Sequence, residues 1–130
     1  MRISVIIPTY NYASCIKEAI DSVYQAIEKA REYEYEVVVL DDGSEDNTEQ
    51  LIKKIVKEKY PTLVYFRISN SGKASATAEA VRISTGDIIF NLDADDVFLP
   101  DKFKYVLDIY KKHPAVVHVA HPALCRNALS

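Results

Sequence analysis

Glu36-Val37-Val38-Val39-Leu40-Asp41-Asp42-Gly43-Ser44 is a β-branched apolar run that ends on an acidic turn. A short run of this kind reads as a buried strand. Asp, Gly and Ser are the usual residues of turns and helix N-caps. Strand, turn and helix start therefore follow one another here, and the same arrangement recurs on both sides. Ile3 to Ile7, Leu63 to Ile68, Asp87 to Leu92 and Ala115 to Ala120 read as further buried strands. Between them lie segments of helical period. Ile16, Ala19, Ile20, Val23 and Ile27 line the first helix; Leu51, Ile52, Ile55 and Val56 the second. Ala76, Ala80, Val81 and Ile83 partly line the third, and Phe103, Val106, Leu107 and Tyr110 the fourth. Ser44 or Asp46 can cap the second helix, and Pro100-Asp101 opens the fourth. Alternating strands and helices closed by a strand predict an α/β domain with a largely parallel sheet.

The chain has 130 residues, 48% apolar and 27% charged. Those figures fit one folded domain spanning residues 1–130. A net charge of −3 gives no basis for expecting a nucleic-acid partner. Cys15 and Cys125 have neither zinc-site nor disulfide-framework spacing. Ile3 to Ile7 is too short for a signal h-region and no apolar stretch of spanning length follows, so the expected location is cytoplasmic.

Ligands of open α/β sheets bind in the crevice at the carboxyl ends of the strands. Each predicted strand exit is polar here: Pro8-Thr9-Tyr10-Asn11, Asp41-Asp42-Gly43-Ser44, Asn70-Ser71-Gly72-Lys73 and Asp93-Ala94-Asp95-Asp96. In extended chain Asp93 and Asp95 lie about 7 Å apart, and their repulsion costs about 2 kcal/mol at an effective dielectric of 20. A bound cation removes that cost, and hard carboxylate oxygens suit Mg²⁺ or Mn²⁺. The motif alone is weak, because a chain of this Asp content shows an Asp-x-Asp pair about once by chance. Its position at a strand exit is what singles it out. The acidic pair Asp41-Asp42 can accept hydrogen bonds from a base or a ribose, or can simply serve the turn. Asn70 to Lys73 opens a helix where backbone N–H groups and a cation can meet phosphate oxygens. Neither GxxxxGK[ST] nor GxGxxG is present, which argues against an ATPase and a dinucleotide-dependent oxidoreductase. His113, His118 and His121 read as packed or solvated. The tyrosines, Tyr33 and Tyr35 among them, read as amphipathic surface residues. Tyr10 is the exception, since at a strand exit it can stack on a base.

In order and spacing these segments resemble the N-terminal half of family 2 inverting glycosyltransferases. Ile3 to Asn11 resembles their opening strand, Val39 to Thr48 their nucleoside-binding turn, Asn70 to Ala78 their third motif and Leu92 to Asp96 their metal motif. The resemblance implies a three-layer, Rossmann-like GT-A half-domain that binds a nucleotide sugar, a UDP-sugar foremost. It implies that Pro8, Thr9 and Tyr10 border the base and that Asp41 or Asp42 contacts uracil or its equivalent. Lys73 would approach the ribose or the phosphates. Asp93, with Ala94 beside it, would face the ribose or the metal, and Asp95 would ligate Mn²⁺ or Mg²⁺. The implied reaction is inverting transfer of the sugar to a hydroxyl of a glycan or lipid acceptor. Inversion needs a general base at that hydroxyl, which in this family comes from well after the metal motif. The later carboxylates here, Asp101 and Asp108, fall at or within the fourth helix. The resemblance thus implies a donor-binding domain shortened on its acceptor side, with no catalytic base of its own. Weak or absent transfer, self-association through uncovered apolar surface, and a place at the inner face of a membrane through a longer protein are the accompanying expectations. Two rival readings stand beside it. One is a nucleotide- or metal-binding module without catalysis; the other is a phospho-acceptor domain with Asp41, Asp42 and Asp93 in one acidic pocket.

Overall fold

Strand β1, Arg2–Thr9, is buried from Ile3 onward, as its apolar run, interrupted only by Ser4 before Pro8, requires. It sits inside a sheet of order β3-β2-β1-β4, with β2 at Glu34–Asp41, β3 at Val64–Arg67 and β4 at Ile88–Asn91. All pairings are parallel, and the β1–β2 register runs from Arg2 opposite Glu34 to Thr9 opposite Asp41. The helices are α1 (Ile16–Glu28), α2 (Thr48–Glu58), α3 (Lys73–Ile83) and α4 (Lys102–Lys112). A two-residue strand β5 (Asp96–Val97) pairs antiparallel with β6 (Leu124–Cys125). This computed structural model describes residues 1–115 and the backbone of 124–125. Apart from Ala115, which lies in a turn, the expected strand over Ala115 to Ala120 falls outside the described residues.

Three layers result. On one face, Ile3, Val5 and Ile7 of β1 and Val37 and Val39 of β2 pack with Ile20 of α1, Ile52 of α2 and Phe103 of α4 in one cluster. On the other, Ile6, Val38 and Leu40 meet Ala76 and Ala80 of α3. The two-residue alternation of a strand sorts neighbouring side chains onto these faces. Phe103 is fully buried against Tyr35, Phe90 and Phe98, with ring centroids 5.0, 4.9 and 5.7 Å away. No described helix is long and apolar enough to cross a membrane.

Three details differ from the sequence reading. β3 and β4 are not buried on both faces: Phe66 and Ile89 are exposed, because these are the outer strands of the described sheet and α3 lies over β1 and β2. Val81, read as part of the third helix's buried face, is exposed, and Ala76 and Ala80 do the packing. Tyr35 is no surface residue; it is half-buried on Phe103 and donates its hydroxyl to the Ala30 carbonyl.

A polar cluster ties the opposite end of the sheet together. The buried Ser4 hydroxyl donates to Glu36 at 2.6 Å and accepts from the Gly86 amide at 2.7 Å. Thr85 N–H also donates to Glu36, and Arg2 lies 3.6 Å from it. A Cβ on Gly86 would fall 2.5 Å from Ser4 N, so only glycine fits. Burial alone would raise the Glu36 carboxyl, but the Ser4 and Thr85 hydrogen bonds and the Arg2 charge hold it below its ordinary range. A depressed folded value means stability that is present above the unfolded pKa and lost as pH falls through the folded one. Glu36→Gln is therefore expected to flatten the acid limb of stability. Urea midpoints at neutral pH and at about pH 3 check this; an unchanged difference between the two would refute it.

Candidate functional site

The carboxyl ends of β1, β2 and β4, with the loop from β3 into α3, enclose a cleft of about 490 Å³. It lies where the strand order reverses about β1, the position at which α/β sheets bind ligands. Pro8, Thr9 and Tyr10 line it from β1, Asp42 from β2, Lys73 from the start of α3, and Asp93, Ala94 and Asp95 from β4. Asp42 and Asp95 therefore share one space. Asn70, Gly72 and Ala76 complete the α3 wall. Tyr12, which the sequence reading missed, is part of the lining too. Asn11 adopts φ of 56°, a left-handed turn that Asn tolerates, and the chain beyond it brings Tyr12 back to the rim.

Asn11 also ties two strand exits together. Its amide donates to Ser44 Oγ at 2.9 Å, and its Oδ1 accepts from the Glu45 and Asp46 amides at 2.8 and 3.3 Å. Ser44 is spent on this brace and does not cap α2. The cap contact falls to Asp46, whose Oδ1 accepts from the Thr48 amide at 3.0 Å, while the boundary residue itself is Asn47. Directly after Asp42, Gly43 holds φ of 75°, and a Cβ there would lie 2.8 Å from Asn70 N. The turn can press against the Asn70 loop only because that side chain is missing.

Adjacent on the strand, Asp41 and Asp42 face different ways. Asp41 is fully buried, accepting from the Ser44 amide at 2.8 Å and the Tyr65 hydroxyl at 2.5 Å, with Arg67 at 3.5 Å. Burial and this bond to Asp41 raise the Tyr65 phenol above its ordinary range. Asp41 does not line the cleft. Of the two acids left open by the sequence, Asp42 is the one the structure brings to the site. It also removes the geometry a phospho-acceptor pocket needs, since Asp41 does not face Asp42 and Asp93 across one space. Asp42 Oδ1 accepts from the Ser71 amide at 2.8 Å and Oδ2 from the Gly72 amide at 3.0 Å. A carboxylate offers about four lone-pair sites, so Asp42 anchors the α3 loop and retains capacity for a ligand N–H.

The acidic exit of β4 is set by alternation. Leu92, Ala94 and Phe98 are buried at 2%, 1% and 6% exposure, which turns Asp93 and Asp95 outward. Phe98 N–H donates to Ser22 Oγ of α1 at 3.0 Å, and the Asp96 amide closes a turn onto the Asp93 carbonyl at 3.0 Å. One oxygen each of Asp93, Asp95 and Asp96 lies within 4.8 Å of the others. Opposite ligands of an octahedral ion with bonds of about 2.1 Å are about 4.2 Å apart. Neighbouring ligands of such an ion are closer still, about 3.0 Å apart, so the three side chains must draw together to share one; all their donors are hard oxygens, which suit Mn²⁺ or Mg²⁺. Lys73 Nζ is 3.0 Å from Asp93 Oδ1; that hydrogen bond, with the charge of Asp95, raises the lysine above its ordinary range. Thr9 Oγ1, in the cleft wall, is the one buried side-chain polar atom without a hydrogen-bond partner among the described residues. An orphan of this kind is costly.

The chain also matches known proteins over this region. The family described as Glycosyl transferase family 2 matches residues 4–127. An uncharacterized glycosyltransferase of Mycoplasma genitalium is 40% identical over 117 residues, covering 87% of this chain and 37% of that protein. TarS of S. aureus in complex with UDP-GlcNAc superposes with a TM-score of 0.73 at 29% identity, covering 88% of this chain and 32% of that one. A Pyrobaculum calidifontis mannosyltransferase in complex with GDP-Man and Mn²⁺ gives 0.69 at 30% identity, covering 83% and 32%. The chain thus spans about a third of the length of each of these three proteins.

Proposed function

The chain belongs to glycosyl transferase family 2, with the GT-A, Rossmann-like arrangement of its solved relatives, and from that premise we propose that its cleft holds a nucleoside diphosphate sugar through a divalent ion. The observation that carries this reading is convergence: four strand exits far apart in sequence line one cleft. Tyr10 stacks on the base and Asp42 accepts a base N–H. The diphosphate lies at the start of α3, where Lys73 and the positive end of the helix offset its charge. Asp95 and Asp93 hold Mn²⁺ or Mg²⁺, which supplies charge neutralisation on the departing nucleotide. The relatives crystallised with UDP-GlcNAc and with GDP-Man and Mn²⁺ support the ligand class, and a UDP-sugar is the donor we favour.

The reaction we propose is inverting transfer to a glycan or lipid hydroxyl. Among the described residues no carboxylate after Asp96 can act as its general base. Asp101 is exposed beside Lys29 at 3.9 Å, Asp108 is paired with Lys112 at 2.9 Å, and neither lines the cleft. These residues by themselves are expected to bind donor and transfer it weakly or not at all.

Calorimetric titration of UDP, GDP and dTDP, each with MnCl₂ and with EDTA, tests the reading. Binding of at least one nucleotide, strengthened at least about a hundredfold by Mn²⁺, is the expected result. Equal affinity with EDTA would count against the ion, and no binding of any nucleotide would count against the cleft.

A further inference from the structure

Lys73 stands between the two ligands proposed for the cleft. Its side chain is 70% exposed, yet its ammonium is committed to Asp93 Oδ1 at 3.0 Å. Asp93 is also one of the three carboxylates that gather their oxygens within 4.8 Å. The lysine thus neutralises part of the charge that a divalent ion would neutralise. The two cations compete, because an Asp93 oxygen serving both would hold the positive centres within about 5 Å of each other. Lysine is a point charge on a flexible four-carbon stem, so it can leave without moving the backbone. Its new partner is close by, since Lys73 is the first residue of α3, beside Gly72 in the same cleft wall.

We propose that Lys73 is an exchangeable counter-cation: it holds Asp93 in the free chain, gives it up to the divalent ion, and then closes on the diphosphate. This rests on the donor-site reading above. Each ligand then removes an obstacle to the other. The ion frees the ammonium for the phosphates, and the phosphates draw the ammonium away from the ion's ligand. Such coupling is reciprocal by thermodynamic necessity.

The consequence is counter-intuitive, for removing a binding-site residue tightens one of the ligands. Mn²⁺ uptake by the nucleotide-free chain, read from the paramagnetic resonance of the unbound ion, is expected to be about 1.5- to fivefold tighter in Lys73→Met than in the wild type, the range of a largely exposed ion pair. Lys73→Arg, which keeps a cation on Asp93, is expected to stay near the wild type. With Mn²⁺ saturating, Lys73→Met is expected to bind UDP about tenfold more weakly. In a chain carrying ¹⁵N-lysine, the Lys73 Nζ resonance is expected to move on MgCl₂ alone and again on UDP. A general loss of positive charge would tighten Mn²⁺ without that first movement, so a still resonance with Mg²⁺ bound overturns the exchange. Unchanged or weaker Mn²⁺ binding by Lys73→Met in a chain whose wild type binds Mn²⁺ overturns it as well, while leaving the donor site standing. If the wild type takes up no Mn²⁺ with or without UDP, the donor-site reading falls and this inference with it.

Discussion

Asp95→Ala is expected to leave the chain folded and to lower its Mn²⁺-supported affinity for a nucleoside diphosphate by at least about a hundredfold, to the level seen with EDTA. Loss of a group that merely orients a metal ligand costs about 10- to 100-fold, and Asp95 is proposed as a ligand itself. Nothing in the fold depends on its carboxylate. It is partly exposed, with two further acids of the same cluster beside it and the Lys73 ammonium, which is hydrogen-bonded to Asp93, near enough to feel its charge. Removing one charge from three relieves repulsion, so the melting temperature is expected to stay within about 2 °C or to rise. Calorimetric titration with MnCl₂ beside a thermal melt checks both halves. Metal-supported binding that survives in Asp95→Ala would remove this residue from the site.

Asp41→Ala is expected to do the reverse, lowering stability by about 2–4 kcal/mol, or roughly 10 °C in melting temperature. The buried Asp41 accepts from the Ser44 amide and the Tyr65 hydroxyl, and each buried donor left without an acceptor costs about 1–3 kcal/mol. Arg67 sits 3.5 Å away but is 42% exposed and can turn to water, so its loss adds little. Nucleotide affinity, measured well below the new melting temperature, is expected to fall less than in Asp95→Ala, because Asp41 acts only through the turn that carries Asp42. The pair of variants separates a structural acid from a ligand-binding one that sequence alone treats alike. Thermal melts and urea midpoints give the first quantity. A stable Asp41→Ala protein would contradict the account of that buried network.

Much of this was legible in the sequence, for identifiable reasons. The middles of β1 and β2, Val5 to Ile7 and Val37 to Leu40, are apolar because both faces are covered, and α1, α2 and α4 keep a wide apolar stripe because each packs into the core on one face of the sheet. The alternation Leu92, Asp93, Ala94, Asp95 announces a strand exit that turns its acids outward. Where the reading failed, the deciding contact was non-local. α3 packs through Ala76 and Ala80, so its small buried residues give little periodic signal and Val81 passed for a core residue. Phe66 and Ile89 look like core residues until the strand order shows them on outer strands. Strand alternation says that Asp41 and Asp42 point apart, but only the position of Tyr65 says which of them turns away from the cleft. The Asn11 brace joins residues more than thirty positions apart, and no local pattern encodes it. The Lys73–Asp93 pair joins the start of α3 to the exit of β4 and is equally silent in the sequence.

Anomalous diffraction at the manganese edge from crystals grown with UDP and MnCl₂ tests the central claim most directly. The account predicts one manganese peak bonded to Asp95 and Asp93, with the diphosphate beside Lys73 and the base between Tyr10 and Asp42. A manganese peak away from these acids, or a nucleotide bound outside the cleft of Pro8, Asp42 and Asp95, would contradict it.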